Sequence, residues 1–142
     1  MSSPLKTQII ELPKIDDHRG NLSFIEENNH VPFKIERVYW IYDIPGGAKR
    51  EGHAFKKQQE FIVALSGSFD IVISDGYQTQ TYNLNRAYYG IYIPEKLWRQ
   101  MDNFSTNAVA IILSSTLFDE TDYVRDYNMF LKNTKNCNDL NK

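Results

Sequence analysis

Polar and apolar positions alternate along most of this chain. NLSFIEE (21–27) and FKIERVYWIYD (33–43) both carry the period of two that turns one strand face to a core and the other to solvent. The polar, turn-rich IPGGAKREG (44–52) predicts a loop. EFIVALSG (60–67) predicts a buried strand ending at Gly67, and SFDIVIS (68–74) follows almost at once. SDG (74–76) is a hairpin signal, with Gly76 supplying a positive φ. TQTYNL (79–84), YYGIYIP (88–94), WRQMDNF (98–104) and AVAIILSS (108–115) complete the series. About eight short strands, spaced by roughly 8 to 12 residues, predict a sandwich or barrel. The period changes in DETDYVRDYNMFLKN, where Tyr123, Tyr127, Phe130 and Leu131 fall at i, i+4, i+7 and i+8 of one helix face. Asp119, Glu120 and Asp122 stand where the N-terminal end of that helix favours acids. The reading is one domain over residues 1–133, followed by a polar tail over 134–142.

Composition narrows the classes. A chain of 142 residues can bury a core without staples, and the single cysteine, Cys137, sits in the polar tail with no partner for an internal disulfide. MSSPLKTQIIELPK has no long apolar run, and no segment approaches the roughly 20 apolar residues of a membrane span. The expectation is a cytoplasmic protein. The net charge is −2, from 16 basic and 18 acidic residues, with no basic stripe, so nucleic acid is not an expected partner.

The stretch GHAFKKQQE (52–60) raises the chemistry. Histidine at position 55 would give His-x-His followed by Glu, a set of metal ligands. Phe55 offers no donor, so His53 and Glu60 are left and no metal site is expected. A histidine without a metal is suited to acid–base work, because its ordinary pKa lies near neutrality. His18, beside Asp16 and Asp17, and His30 read as surface residues. Trp40 alternates with Tyr39 and is assigned to core or interface.

The spacing Gly52-His53-x-Phe55-x4-Glu60-x6-Gly67 resembles the first cupin motif. Gly90-x3-Pro94-x4-Arg99-x3-Asn103 resembles the second, with Phe55 and Arg99 where two metal histidines usually stand. The resemblance implies an all-β cupin, a jelly-roll-like double-sheet barrel, here with a C-terminal helix. A narrower likeness lies in RVYWIYDIPGGAKREGHAFKK, ALSGSFDIVISDG, YIPEKLWRQMDNFS and DETDYVRDYNMF, which together cover roughly residues 14 to 130. These resemble the WxcM-like sugar-nucleotide 3,4-ketoisomerases, which act on dTDP-4-keto-6-deoxyglucose. DETDYVR is the most specific part, since cupins in general lack it.

That resemblance implies an isomerase that moves a carbonyl from C4 to C3, in deoxysugar synthesis for a bacterial surface polysaccharide or glycoprotein. It implies no cofactor and a homodimer. His53 matches the family's proposed base, Tyr39 a pocket tyrosine that donates or shuttles protons, and Arg99 a pocket cation for the oxyanion or diphosphate. Arg19, Arg50, Phe55, Glu60, Trp98 and Asn103 are carried over as substrate-binding positions. Phe55 departs from the family's second histidine. Arg99 is like members forming the gluco epimer and Arg19 like those forming the galacto epimer, so the product's stereochemistry stays open. Two rival readings are a 4-keto-sugar 3,5-epimerase and a sugar-nucleotide binder without turnover.

Overall fold

The computed structural model describes residues 6–140, without the side chains of Glu51 and of 136–140. Cys137 is among those side chains, so its reading lies outside the described residues. No helix among the described residues is long and apolar enough to cross a membrane.

Ten strands form two five-stranded sheets. The first contains β1 (Gln8–Glu11), β4 (Arg37–Ile41), β6 (Glu60–Ser66), β9 (Tyr89–Ile93) and β11 (Val109–Ser114), in the order β1-β9-β6-β11-β4. The second contains β5 (Arg50–Phe55), β7 (Phe69–Ser74), β8 (Thr79–Leu84), β10 (Trp98–Asp102) and β12 (Tyr123–Val124), in the order β12-β5-β10-β7-β8. A small hairpin pairs β2 (Lys14–Ile15) with β3 (Leu22–Ser23). Every pairing within these sheets is antiparallel. The expected cupin architecture is present.

The alternation sets the core. Ile62, Ala64, Ile91, Ile93, Ala110 and Ile112 face inward from the first sheet and meet Phe69, Ile71, Ile73, Leu84 and Met101 from the second. β6 is apolar without a break because its other face is covered too. Phe61 and Val63 pack there with Leu12, Val31 and Phe33 from the N-terminal segments. Gly67, at φ +66°, turns the chain from β6 into β7. The SDG hairpin forms as expected: Asp75 accepts from the backbone N–H of Tyr77 and of Gln78, each at 2.8 Å, and Gly76 has φ +94°.

Several expectations are corrected. Gln8–Glu11 forms an edge strand that the pattern did not single out. Residues 21–27 contribute only the two-residue β3, and 33–43 only β4, because Phe33 leaves the sheet to fill the second cluster. The loop of 44–52 ends early: Arg50 already belongs to β5. Trp40 is not core, since 59% of it is exposed. The helix does not start at Asp119. Asp119 instead caps a single 3-10 turn over Glu120–Asp122, and Tyr123 and Val124 pair with Phe55 and Ala54 of β5. The helix α1 spans Tyr127–Leu140 and so runs past Thr134. Phe130 packs it against Trp98 and Ala54 on the outside of the second sheet.

Asp122 explains part of the DETDY motif. Its buried carboxylate accepts from the backbone N–H of Lys57 at 2.9 Å and of Gln58 at 3.1 Å. It therefore fixes the loop that leads into Glu60. Asp122→Ala leaves these donors without their acceptor, and each unsatisfied buried donor costs about 1–3 kcal/mol. The expected outcome is a lower midpoint in urea unfolding with little change in slope.

Candidate active site

The register of β5 and β10 places Arg99 opposite His53, so the two side chains are cross-strand neighbours. In the first sheet, alternation turns Tyr39 and Ile41 of β4 inward, together with Glu60 and Ile62 of β6. These groups meet in a cavity of about 400 Å³ between the sheets, lined also by Lys49, Arg50, Gln100, Met101, Ile112, Tyr123 and Arg125. That size is ordinary for a small-molecule site. Four cationic side chains, Lys49, Arg50, Arg99 and Arg125, and one carboxylate, Glu60, line it. The balance favours an anionic ligand.

The floor is a hydrogen-bonded cluster. Arg99 and Glu60, 2% and 1% exposed, form an ion pair at 2.7 Å. The second Glu60 oxygen accepts from the Tyr39 hydroxyl, and from Gln58 Nε2 at 2.9 Å. Arg99 Nη2 donates to the Leu97 carbonyl at 3.0 Å. Among the described residues, three buried side-chain nitrogens lack any hydrogen-bond partner, and two of them line this cavity: His53 Nε2 and Arg99 Nε. Buried polar atoms are normally satisfied, so this unpartnered pair sets the wall of the cavity at His53 and Arg99 apart from the rest of the core.

Phe55 lies under the cavity rather than on its lining. Its ring is 1% exposed, edge-on to His53 at 4.8 Å, and 5.0 Å from the Arg99 guanidinium carbon. Phe55 thus packs the imidazole and stacks the cation, where a second histidine would have brought another titrating group. Both Glu60 oxygens are engaged by the cluster, and among the described residues no three His, Cys, Asp or Glu side chains converge as a metal site would need.

Three carried-over residues lie elsewhere. Arg19 is on the exposed β2–β3 hairpin, and Asp17 holds its guanidinium at 2.9 and 2.8 Å. Trp98 precedes Arg99, so alternation turns it to the opposite side, against Tyr127 and Phe130 of α1. A Cβ on Gly52 would stand 2.3 Å from the Trp98 indole nitrogen, which explains the glycine in the motif. Asn103 sits in the turn after β10 at φ +55° and donates to Asp70 at 3.1 Å. Asparagine tolerates that left-handed conformation better than most residues. Conversely, Lys49, Tyr123 and Arg125 line the cavity but were not singled out as site residues. DETDYVR was the available signal, and the helical reading of Tyr123 concealed it. Arg125 lies over the Tyr123 ring at 4.2 Å and pairs with Glu120 at 2.8 Å.

The electrostatics suit a neutral imidazole. Burial lowers the His53 pKa from 6.5 to about 4, and the Arg99 charge adds to this against the opposing pull of Glu60. Burial, then the Glu60 charge, pushes the Tyr39 phenol well up, so it keeps its proton. The His53 shift has a defined effect on stability. Above pH 6.5 the imidazole is neutral in both folded and unfolded chains. As pH falls from 6.5 to 4, only the unfolded chain gains the proton, so folding stability drops by at most roughly 3 kcal/mol. His53→Asn should remove this component, giving a shallower loss of urea stability between pH 6.5 and 4 than in the wild type.

A larger groove of about 690 Å³ lies on the outer face of the first sheet, lined by residues such as Val63, Leu65, Ile111, Phe24 and Tyr88. It holds no acid or histidine, so it lacks the pairing that distinguishes the inner cavity.

Comparison with known proteins gives consistent results. The family described as FdtA, WxcM-like, C-terminal, matches residues 5–135. A TDP-4-oxo-6-deoxy-alpha-D-glucose-3,4-oxoisomerase from Aneurinibacillus thermoaerophilus is 40% identical over 128 residues, spanning 90% of this chain and 92% of its own. The crystal structure of WlaRB, a TDP-quinovose 3,4-ketoisomerase from Campylobacter jejuni, is 39% identical with a TM-score of 0.86, covering 89% of this chain and 98% of its own. A histidine-to-asparagine variant of the 3,4-ketoisomerase QdtA from Thermoanaerobacterium thermosaccharolyticum, solved with TDP-4-keto-6-deoxyglucose, is 32% identical with a TM-score of 0.89, covering 92% of this chain and 94% of its own. With the match running from one end of the double-sheet barrel to α1, this chain belongs to the FdtA family of WxcM-like C-terminal domains.

Proposed function

We propose that this protein is a sugar-nucleotide 3,4-ketoisomerase acting on TDP-4-keto-6-deoxyglucose. The observation that carries the reading is the cross-strand pair His53 and Arg99, each with a buried, unpartnered nitrogen beside one cavity. The relatives named for this reaction support the substrate.

The chemistry follows from the groups. The C3 proton is acidic because it lies beside the C4 carbonyl. A neutral imidazole can accept it, and the low His53 pKa keeps that form available at neutral pH. Charge then develops on the C4 oxygen, and the Arg99 guanidinium, opposite His53 in the cavity wall, supplies a fixed positive charge near it. Returning a proton at C4 and closing the carbonyl at C3 completes the isomerisation. The reaction is redox-neutral overall and balances with proton transfers alone. Arg50 and Lys49, exposed at the rim, suit a diphosphate. Phe55 holds the imidazole from below. An epimerase of the His–Asp kind fits less well, because the acid lining this cavity is Glu60, engaged by Arg99, Tyr39 and Gln58.

A homodimer is part of the proposal. β4 is a sheet edge, and its outer face exposes Val38 and Trp40, with Tyr42 and Leu65 nearby in sequence and sheet. An apolar patch on an open edge favours pairing with a second copy.

The direct experiment is NMR in deuterated water with TDP-4-keto-6-deoxyglucose. Deuterium at C4 of a new 3-keto sugar is expected, and its coupling pattern gives the epimer. His53→Asn should lower the rate on the order of 10²-fold or more while leaving substrate binding intact. Binding by the wild type without exchange at C3 or C4 would sink the proposal and favour a binder. Light scattering during size exclusion checks the dimer: the wild type should elute at twice the chain mass, and Trp40→Glu should shift it toward the monomer.

A further inference from the structure

DETDYVR (119–125) is the most specific stretch of the sequence, and the chemistry drawn from His53 and Arg99 uses none of it. Asp122 anchors this segment to the loop before Glu60. Beyond it, β12 runs along the edge of the second sheet, with Tyr123 opposite Phe55 and Val124 opposite Ala54. His53 and Phe55 are alternate residues of β5, so Tyr123 shares their inner side and lines the cavity. Its ring is held from several directions. Phe55, His53 and Phe118 lie at 4.6, 5.4 and 5.9 Å between centroids, and the Arg125 guanidinium carbon is 4.2 Å from the ring centre. The hydroxyl is held by nothing. Among the described residues it makes no hydrogen bond, and it is not one of the unpartnered atoms closed off from water. Tyr123 thus combines a fixed ring with a free, accessible hydroxyl next to the histidine.

The Tyr39 hydroxyl is not equivalent. It donates to Glu60, which the Arg99 ion pair and the Gln58 amide hold as a carboxylate. Its proton is committed within the protein. Phe55 brings no imidazole, and the arginines of the cavity cannot give up a proton.

We propose that Tyr123 is a catalytic residue that exchanges the sugar's hydroxyl proton between the C3 and C4 oxygens. This rests on the isomerase reading and deepens it. Isomerisation moves two protons: one from C3 to C4, and one from the oxygen on C3 to the oxygen on C4. His53 serves the carbon proton. When it takes that proton, the C3–H electron pair becomes the C3–C4 double bond, and the carbonyl pair moves onto the C4 oxygen. The Tyr123 hydroxyl then gives its proton to the C4 oxygen and takes the proton of the C3 hydroxyl. A phenol can do both at one atom, and oxygens on adjacent carbons lie within reach of a single hydroxyl. The electron pair left on the C3 oxygen closes the C3 carbonyl. The double-bond pair takes the proton back from His53 at C4. Histidine and tyrosine both end as they began, and nothing is oxidised or reduced overall. Arg125, over the ring and paired with Glu120, is a positioning residue.

The test separates the two protons. Wild type and Tyr123→Phe are each incubated with TDP-4-keto-6-deoxyglucose in deuterated water. NMR follows two quantities: substrate carrying deuterium at C3, and 3-keto product. Their sum counts the C3–H bonds broken. In Tyr123→Phe that sum should stay within about tenfold of wild type while product falls on the order of 10²-fold, so that broken bonds return as deuterated substrate. Its midpoint in urea unfolding should match wild type, because the hydroxyl has no partner in the protein to lose. Product formation within tenfold of wild type overturns the assignment. So does an equal loss of both quantities, which is what a group that only holds the substrate or the fold would give. A lowered urea midpoint overturns it as well, since the hydroxyl would then be bonded within the protein. Wild-type protein that neither exchanges nor isomerises overturns the isomerase reading itself, and the role of Tyr123 falls with it.

Discussion

The ion pair between Arg99 and Glu60 is the constraint on which the site depends. Both side chains are almost wholly removed from water. Each ion alone would face a desolvation penalty of several kcal/mol, and removing one partner of such a pair typically costs about 3–5 kcal/mol. The pair is retained with every remaining contact arranged around it: Tyr39, Gln58 and the Leu97 carbonyl complete it, and Phe55 stacks beneath the guanidinium. A core that held only apolar groups here would be easier to stabilise. It would also have no charge with which to depress the histidine or receive an oxyanion. The same pair bridges the two sheets, since Glu60 belongs to β6 and Arg99 to β10. Fold and chemistry share one interaction.

Phe55 takes on a clearer meaning in that setting. Its loss of metal-ligand character is easy to see, but its gain is in packing. The ring is buried between His53, Tyr123 and Arg99, which keeps the imidazole away from water. Burial is the main reason the His53 pKa falls. The residue that removes a donor therefore helps make the remaining histidine a neutral base.

The outer side of the second sheet supports this arrangement at a distance. Trp98 fixes α1 through Phe130 and Tyr127, and Gly52 leaves room for its indole. Trp98 and Arg99 are adjacent, so anchoring one on the outside sets the other on the inside. Asp122 fixes the opposite approach, through the loop before Glu60.

Much of this was legible from residues alone. Period-two alternation in FDIVIS and TQTYNL located strands and their faces, because a strand's side-chain period is a local property. The spacing from Gly52 to Gly67, and the residues His53, Glu60, Tyr39, Arg50 and Arg99, pointed to one site that the folded chain does bring together. Other features were decided only by tertiary contacts. Tyr123 sits at helical spacing from Tyr127, yet it pairs with β5, because the sheet edge offers its backbone partners that a helix start does not. Arg19 and Asn103 match motif positions, but their side chains are engaged by Asp17 and Asp70. Trp98 is one residue from the site and faces away. The partners of Glu60 lie 2, 21 and 39 residues away in the chain, so no local pattern records them. Sequence determined the strand faces and the reactive residue types, because those follow from local periodicity and side-chain chemistry. Tertiary structure alone decided which groups hydrogen-bond one another and which buried nitrogens go unpartnered, because hydrogen bonding depends on what the fold places opposite each atom.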